Sequence, residues 1–300
     1  MVAGKVLMDR NCPESLRDDP TTGYRESAAL IEKWQGRGRL GYAITPRFAV
    51  TSSDEQLELA GQLAREYPET HIHSHIAENQ REVERVRELF PWSRSYLGVY
   101  ERFGLLRERA VYAHCIHLDA LDRARMAETR TAAAVCPTSN LFLGSGLFDF
   151  PAARAAGMRV GLGTDVGGGT SFSLLRTMSE AYKVAQMAGH GLSPWRAFYL
   201  ATLGGAHALA LDDRIGNFEP GKETDFLVLR LDSTALIASP GHGAHARGNA
   251  LRVDDAGRRP RDRGDLRDGG ARTSGRAGIA CAALTRVGTA EFVCCCTLDT

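Results

Sequence analysis

Several polar or charged side chains stand where short apolar segments of the sequence end. Arg47 follows one such segment, while His75 closes another and has Glu78 three residues later. His114 closes a third segment, and Asp165 follows a fourth. Imidazole and carboxylate groups are ligands that zinc or iron accepts. The pattern therefore predicts half of a catalytic metal site, with His75 and Asp165 as ligands and His114 in support.

The predicted ligand set is incomplete. Catalytic zinc sites have three protein ligands and an open position, whereas His75 and Asp165 supply two. His71 and His73 share a face with His75, because side chains two residues apart point the same way along a strand. A histidine in such a position is more often a hydrogen-bonded structural residue. His75 differs because it closes the segment and Glu78 follows it.

Other conspicuous residues have simpler structural explanations. The glycines at 167–169 lack the Lys and Ser or Thr that would follow in a phosphate-binding loop, and they predict a flexible loop beside Asp165. Cys115 and Cys136 are predicted to be small buried hydrophobes rather than nucleophiles. The tryptophans are predicted to lie on helices and in the core; they are Trp34, Trp92 and Trp195.

The elements that must position these residues are short strands alternating with helices. Six apolar segments are each followed by a helical pattern, which predicts parallel βα units. This spacing fits a (β/α)₈ barrel, in which active sites lie at the carboxyl ends of the strands. A doubly wound sheet is the competing architecture, although no G-x-G-x-x-G follows an early strand. The predicted strands are Lys5–Asp9, Leu40–Thr45, His71–His75, Ala110–His114, Ala132–Cys136 and Arg159–Leu162.

Capping residues predict several helix ends. Ser53 and Gln56 are spaced as in a capping box, in which two side chains satisfy backbone N–H groups reciprocally. Pro151 and Gly157 predict the two ends of a short helix, and Ser193 before a proline predicts another helix start.

Composition excludes several classes of protein. The 300 residues are 24% charged and 43% hydrophobic with a formal charge of +1, which is typical of a globular chain and argues against a basic nucleic-acid or membrane footprint. The sequence contains no run of 18 apolar residues and therefore predicts no membrane span, and residues 1–10 lack the apolar core of a signal peptide. The seven cysteines include no C-x-x-C pair, so we expect a cytoplasmic protein with reduced thiols.

The last sixty residues have a different composition. Residues 241–300 contain ten Gly, ten Arg and no Lys, and only nine are Leu, Ile, Val or Phe. This apolar fraction is below the roughly 20% that marks disorder. Cys294, Cys295 and Cys296 are open to a metal-binding or lipidation interpretation. A tail under no folding constraint, such as the product of a shifted reading frame, is the favoured interpretation because no periodicity accompanies the cysteines.

Six motifs resemble the amidohydrolase superfamily, and their order and spacing look most like its guanine deaminases. Arg-Phe combined with His-x-x-Glu and Gly-Thr-Asp is specific, whereas the glycine-rich pieces alone are weak. The resemblance covers about residues 3–232. The motifs are ITPRF (44–48), SHIAEN (74–79), CPTSN (136–140), LGTDVGG (162–168), ATLGGA (201–206) and IGNFEPGKETDF (215–226).

The resemblance implies a role for each candidate residue. His75 and Asp165 would be zinc ligands after the fifth and eighth barrel strands, and His114 would polarise the attacking water. A metal-activated water would attack C2 of guanine, with Asp165 taking a proton, and ammonia would leave. Glu78 would shuttle a proton to the ring. The substrate site implied by the resemblance comprises Arg47, which reads the guanine carbonyl, with Phe48, His75, Glu78 and Asp165.

The resemblance also implies a domain organisation. We expect an incomplete (β/α)₈ barrel of about six strands over residues 1–210, the remnant of a small β domain over 211–238, and a poorly ordered Gly- and Arg-rich tail over 239–300. The family's His-x-His pair on the first barrel strand has no counterpart upstream of Lys5–Asp9. We therefore expect the isolated polypeptide to be unstable and to bind zinc poorly.

Three functions remain open. The sequence predicts hydrolytic deamination of guanine to xanthine, a reaction of purine catabolism, on a small-molecule substrate without nucleic acid or membrane. The alternatives are another deaminase or chlorohydrolase of the superfamily, and a non-catalytic remnant. Arg47 and Phe48 favour guanine over other substrates, and the resemblance suggests a homodimer.

Overall fold

The computed structural model describes residues 1–223 and 225–227. The chain forms two compact units. The first unit comprises residues 1–135 and 143–160, and the second comprises residues 136–142 together with the described residues from 161 onward. The predicted division at 210 and 238 stays a prediction, and the tail at 239–300 lies outside the described residues.

Short strands alternate with helices along the described chain. The strands are β1 (Val2–Ala3), β2 (Val6–Leu7), β3 (Gly41–Pro46), β4 (His71–Ile76), β5 (Ala110–His114), β6 (Ala132–Val135) and β7 (Arg159–Leu162). The helices are α1 (Pro20–Trp34), α2 (Asp54–Glu66), α3 (Gln80–Leu89), α4 (Tyr96–Arg102), α5 (Ala120–Glu128), α6 (Pro137–Phe142), α7 (Phe150–Ala155), α8 (Leu174–Met187), α9 (Pro194–Ala201) and α10 (Leu203–Ala208).

The strands follow one another across the sheet in sequence order. The order is β1, β3, β4, β5, β6 and β7, and β2 also pairs with β3. The pairs from β1 through β6 are parallel. In a doubly wound sheet the order of the strands reverses at a switch point, whereas in a barrel each strand is added beside the preceding one. This order confirms the predicted incomplete (β/α)₈ barrel.

The first predicted strand is shorter in the structure. The sequence predicts a strand over Lys5–Asp9, but only Val6–Leu7 forms a strand there, β2, and a further short strand, β1, precedes it at Val2–Ala3. The Lys5 N–H donates to the hydroxyl of Tyr42, 3.1 Å away, instead of to a strand carbonyl. A side chain at Gly4 would overlap the Ala43 carbonyl, so the backbone approaches β3 too closely for any other residue.

Helix termini follow the capping residues predicted from the sequence. The Ser53 side chain accepts from the Gln56 N–H at the start of α2, but the Gln56 amide does not return the bond of a full capping box. Ser193 caps α9 in the same way. Pro151 lies in the first turn of α7, and Gly157 follows that helix with a φ of 77°.

The prediction that the tryptophans lie in the core is wrong for two of them, and the third, Trp34 of α1, is only half-buried. Trp92 is 44% exposed and lies in a turn after α3, where its ring packs under the Arg102 guanidinium. Trp195 is 52% exposed in the first turn of α9. Among the described residues, no helix is both long enough and apolar enough to cross a membrane.

Candidate active site

The strand register brings three predicted site residues of the first unit to one edge of the sheet. Ala43 lies opposite His71 in the β3–β4 pair, and the His75 N–H donates to the Arg47 carbonyl four residues further along. The β4–β5 register then sets Ile76 opposite His114. The carboxyl ends of these parallel strands are therefore level, which is where barrel enzymes carry their catalytic residues.

The His75 imidazole is fixed through its Nδ1 atom. Nδ1 lies 2.7 Å from the carbonyl oxygen of Arg47. A carbonyl only accepts, so Nδ1 carries the proton and the lone pair lies on Nε2. Metal-bound histidines commonly have this arrangement, in which one ring nitrogen donates to a carbonyl and the other coordinates. The residue is 7% exposed, so its orientation is set by the protein rather than by solvent.

Arg47 and Phe48 form a stacked pair at the end of β3. The guanidinium carbon lies 4.7 Å from the centre of the Phe48 ring. The Phe48 ring meets the His75 ring edge-on, with 6.2 Å between ring centres. This packing presents a planar cation and an aromatic face together, which suits a flat polar heterocycle with a carbonyl acceptor.

Glu78 and His114 face each other across the loops that follow β4 and β5. Glu78 Oε2 lies 3.7 Å from His114 Nε2. The other carboxylate oxygen, Oε1, accepts a hydrogen bond of 3.1 Å from the Ser145 hydroxyl. The His114 ring also stacks on His75 with 5.4 Å between centres. A carboxyl group held beside an imidazole in this way can hold or pass a proton.

The main chain at Glu78 is anchored by a buried carboxylate one helical turn later. Glu82 Oε2 accepts from the N–H groups of Glu78, at 2.9 Å, and Asn79, at 3.4 Å. Glu82 Oε1 accepts from the Tyr96 hydroxyl at 2.6 Å. Burial raises the pKa of Glu82, and the Tyr96 hydrogen bond offsets part of that rise. Together with the Asn79 cap, these bonds form a complete capping box at the start of α3.

The loops at the sheet edge have strained backbone. Ala77, His114 and Cys115 have positive φ angles of 49°, 72° and 54°. L-residues rarely adopt this region, and such strain is commonly found at functional sites. Burial raises the pKa of the Cys115 thiol, so that group stays protonated, which supports its predicted role as a buried hydrophobe.

Asp165 lies in the second unit, after β7. It is 3% exposed and has a φ of 48°, and its carbonyl accepts from the Gly169 N–H. A side chain at Gly169 would overlap the Thr164 carbonyl, so this turn requires glycine. A carboxylate oxygen of Asp165 lies within 4.8 Å of the Cys136 sulfur. Carboxylate and thiolate are both zinc-ligand chemistries, so this pair could contribute to a metal centre.

The structure groups most of the predicted site residues within the first unit. That group comprises Arg47, Phe48, His75, Glu78 and His114, whereas Asp165 belongs to the second unit. Sequence reasoning missed the supporting residues Tyr100, Ser145 and Glu82. The Asn-x-x-Glu spacing before an apolar stripe could have identified Glu82 as a cap. Ser145 carries no comparable local signal.

Comparison with known families identifies the chain's relationship. The Amidohydrolase family model matches residues 1–250. The chain belongs to the amidohydrolase family. Guanine deaminase of Escherichia coli K12 is 52% identical over 236 residues, which cover 79% of this chain and 54% of that protein. The amidohydrolase chain described here therefore spans about half the length of the curated relatives it matches.

Solved structures of the family give the same relationship. The E. coli guanine deaminase structure matches with a TM-score of 0.84 and 48% identity, covering 86% of this chain and 61% of that one. Guanine deaminase of C. acetobutylicum with bound guanine matches at 0.68 and 32% identity, covering 73% and 53%. An adenosine deaminase of Xanthomonas campestris with bound zinc matches at 0.72 and 25% identity, covering 83% and 55%. These likenesses support the predicted barrel and the resemblance to guanine deaminases.

Proposed function

We propose that this amidohydrolase catalyses the hydrolytic deamination of guanine, giving xanthine and ammonia, as a step of purine catabolism. The observation that carries the proposal is the Arg47 guanidinium stacked on Phe48, whose ring in turn contacts His75. Guanine offers a flat ring for the aromatic face and a carbonyl oxygen for the guanidinium. Adenine has an amino group where guanine has that carbonyl, so an arginine selects against it.

Glu78 and His114 would manage the protons of the reaction. Water adds to C2 of guanine, and the amino group leaves from the same carbon as ammonia. The protonated Glu78 carboxyl would give its proton to N3 as the water oxygen bonds to C2, and the proton that this water releases would pass to the amino group. Ammonia then leaves as the C2–N bond breaks, and the proton of the remaining C2 hydroxyl returns to Glu78 as that oxygen becomes a carbonyl. His114, 3.7 Å from Glu78, orients the attacking water through its imidazole.

The donor chemistry of the site fits a divalent metal, and we propose zinc. The His75 imidazole is oriented by the Arg47 carbonyl so that Nε2 carries the lone pair. Asp165 offers a buried carboxylate in the second unit, where it would also accept a proton from water. Each residue would contribute one ligand, and the bound metal would supply an activated water at neutral pH. The other residues of the site would bind the base, orient the attacking water and exchange protons with the substrate.

The proposal is tested by guanine turnover and metal content. The 300-residue chain is purified with zinc, its metal is counted, and conversion of guanine to xanthine is followed by ultraviolet absorbance. Glu78→Gln should lower kcat by about 10²- to 10⁴-fold, because the amide cannot shuttle a proton. Glu84→Gln on the exposed face of α3 is the matched control and should retain full activity.

Two outcomes would contradict the proposal. Turnover of adenine or a triazine in preference to guanine would support another aminohydrolase or chlorohydrolase activity. A zinc-loaded chain that converts no purine would support the non-catalytic remnant. The resemblance also leads us to propose a homodimer, which light scattering of the purified chain would test.

A further inference from the structure

Ser145 connects the Glu78 carboxyl to a segment remote in the sequence. Its hydroxyl donates to Glu78 Oε1 at 3.1 Å, and the two residues are 67 positions apart. Ser145 is 6% exposed, although its neighbours Gly144 and Leu147 are exposed. A single polar side chain is therefore turned inward from a surface segment and meets the proposed proton shuttle.

The backbone around Ser145 is shaped to present it. Gly144 and Gly146 have positive φ angles of 67° and 133°, which side chains rarely allow. A side chain at Gly146 would also lie 3.1 Å from Ile116 and 3.5 Å from the His117 ring. The Gly-Ser-Gly sequence thus permits both the turn and its close approach to the loop after β5.

His117 holds this turn from the opposite side. Its Nε2 lies 2.9 Å from the Ser145 carbonyl oxygen. The His117 N–H in turn donates to the Ala77 carbonyl, next to Glu78. The loop after β4, the loop after β5 and the Ser145 turn are therefore joined by hydrogen bonds around a single carboxyl group.

We propose that Ser145 is a positioning residue for Glu78, an inference that rests on the proposed deamination. A carboxyl group that carries a proton alternates between acceptor and donor during each turnover. A hydroxyl can donate to the ionised group and accept from the protonated one by rotating its hydrogen. Ser145 therefore holds Glu78 in one orientation, facing His114, in both protonation states.

The kinetic test compares Ser145→Ala, Ser145→Thr and the control Ser27→Ala. Ser27 is also buried, but its hydroxyl has no hydrogen-bond partner among the described residues. Ser145→Ala should lower kcat about 10-fold with little change in KM, because Glu78 loses the hydroxyl that orients it while the base-binding residues are unchanged. Ser145→Thr should restore most of kcat, and Ser27→Ala should match the parent.

A second measurement tests the hydrogen bond between Ser145 and Glu78 through stability and does not require catalysis. Urea midpoints are compared for the parent chain, Ser145→Ala, Glu78→Ala and the double variant. The double variant should lose less than the sum of the two single losses, because the shared hydrogen bond can be lost only once. Additive losses, or an unchanged kcat in Ser145→Ala, would overturn the proposal. If no purine is converted but the cycle shows coupling, the proposed function fails and the contact stands.

Discussion

The Tyr100 hydroxyl donates a hydrogen bond to the main-chain carbonyl of His75, 2.8 Å away. The same oxygen accepts from the Ala49 N–H at 3.0 Å and lies 3.0 Å from the Ser74 hydroxyl. Tyr100 is fully buried in α4, so one side chain connects that helix to the ends of both β3 and β4. Burial raises the pKa of Tyr100, which keeps the phenol protonated as a donor.

Removing that hydroxyl should destabilise the chain. Tyr100→Phe keeps the ring but leaves the Ala49 N–H and the His75 carbonyl without this partner, at a cost of about 1–3 kcal/mol in the free energy of unfolding. Urea denaturation measures the change. Tyr67→Phe is the control, since its hydroxyl donates to Glu32 at the surface. Equal effects of the two substitutions would contradict the role given to Tyr100.

The sheet was predictable because each strand has a local signature. Apolar segments bounded by turn residues identified β4, β5 and β7 to within a residue. The later start of β2 was not predictable, because it depends on the Tyr42 hydroxyl accepting from the Lys5 N–H from another strand. Trp92 was misplaced for a related reason: it lies in a turn at the surface, and its ring packs against Arg102, which only the fold brings near.

The candidate site was likewise predictable from the sequence only in part. Arg47, His75 and His114 stand at strand ends, so the rule that parallel strands share an edge was enough to group them. Ser145 and Glu78 are 67 positions apart in the sequence, and no spacing rule anticipates their contact. Residues with chemical roles were therefore visible in the sequence, whereas the residues that orient them required the tertiary structure.

Replacing Gly61 with alanine should destabilise the chain, although alanine favours a helix more than glycine does. Gly61 lies in α2, and a side chain there would overlap the carbonyl of Phe103, the residue that ends α4. The overlap should outweigh the helix propensity of alanine, so Gly61→Ala is expected to cost about 1–3 kcal/mol. Gly191→Ala is the matched control, because no atom of the described chain lies within 4 Å of the point that its added methyl carbon would occupy. Thermal or urea unfolding of both variants measures the difference, and a Gly61→Ala chain as stable as the control would show that α2 can shift away.

The raised pKa of Glu82 should make the free energy of unfolding fall as pH rises. Burial raises its pKa above the ordinary value of 4.5, so the folded chain binds this proton more tightly than the unfolded chain. Between those two pKa values the folded state holds more protons, and the free energy of unfolding therefore falls with increasing pH. Tyr96, Glu78 and His75 are the titratable groups that act on it.

Glu82→Gln should remove that pH dependence. The glutamine can still accept from the main-chain N–H groups and donate to Tyr96, so the contacts persist without the charge. The difference in unfolding free energy between parent and variant is measured from about pH 4 to about pH 7 and should shift in favour of the variant. Glu84→Gln, on the exposed face of α3, should show no such trend. A parallel pH dependence for the parent and Glu82→Gln would contradict the assignment.

Substituting Arg47 should change substrate selection more than catalysis. Arg47→Lys keeps the positive charge but loses the planar guanidinium that stacks on Phe48, 4.7 Å from its ring centre. The KM for guanine should rise about 10- to 100-fold, because a lysine cannot both stack on the ring and direct two N–H groups at a carbonyl. Steady-state kinetics with guanine and adenine measures the effect, with the exposed Arg81→Lys as control. A variant that loses kcat while its KM stays constant would place Arg47 in the chemical step instead of in recognition of the base.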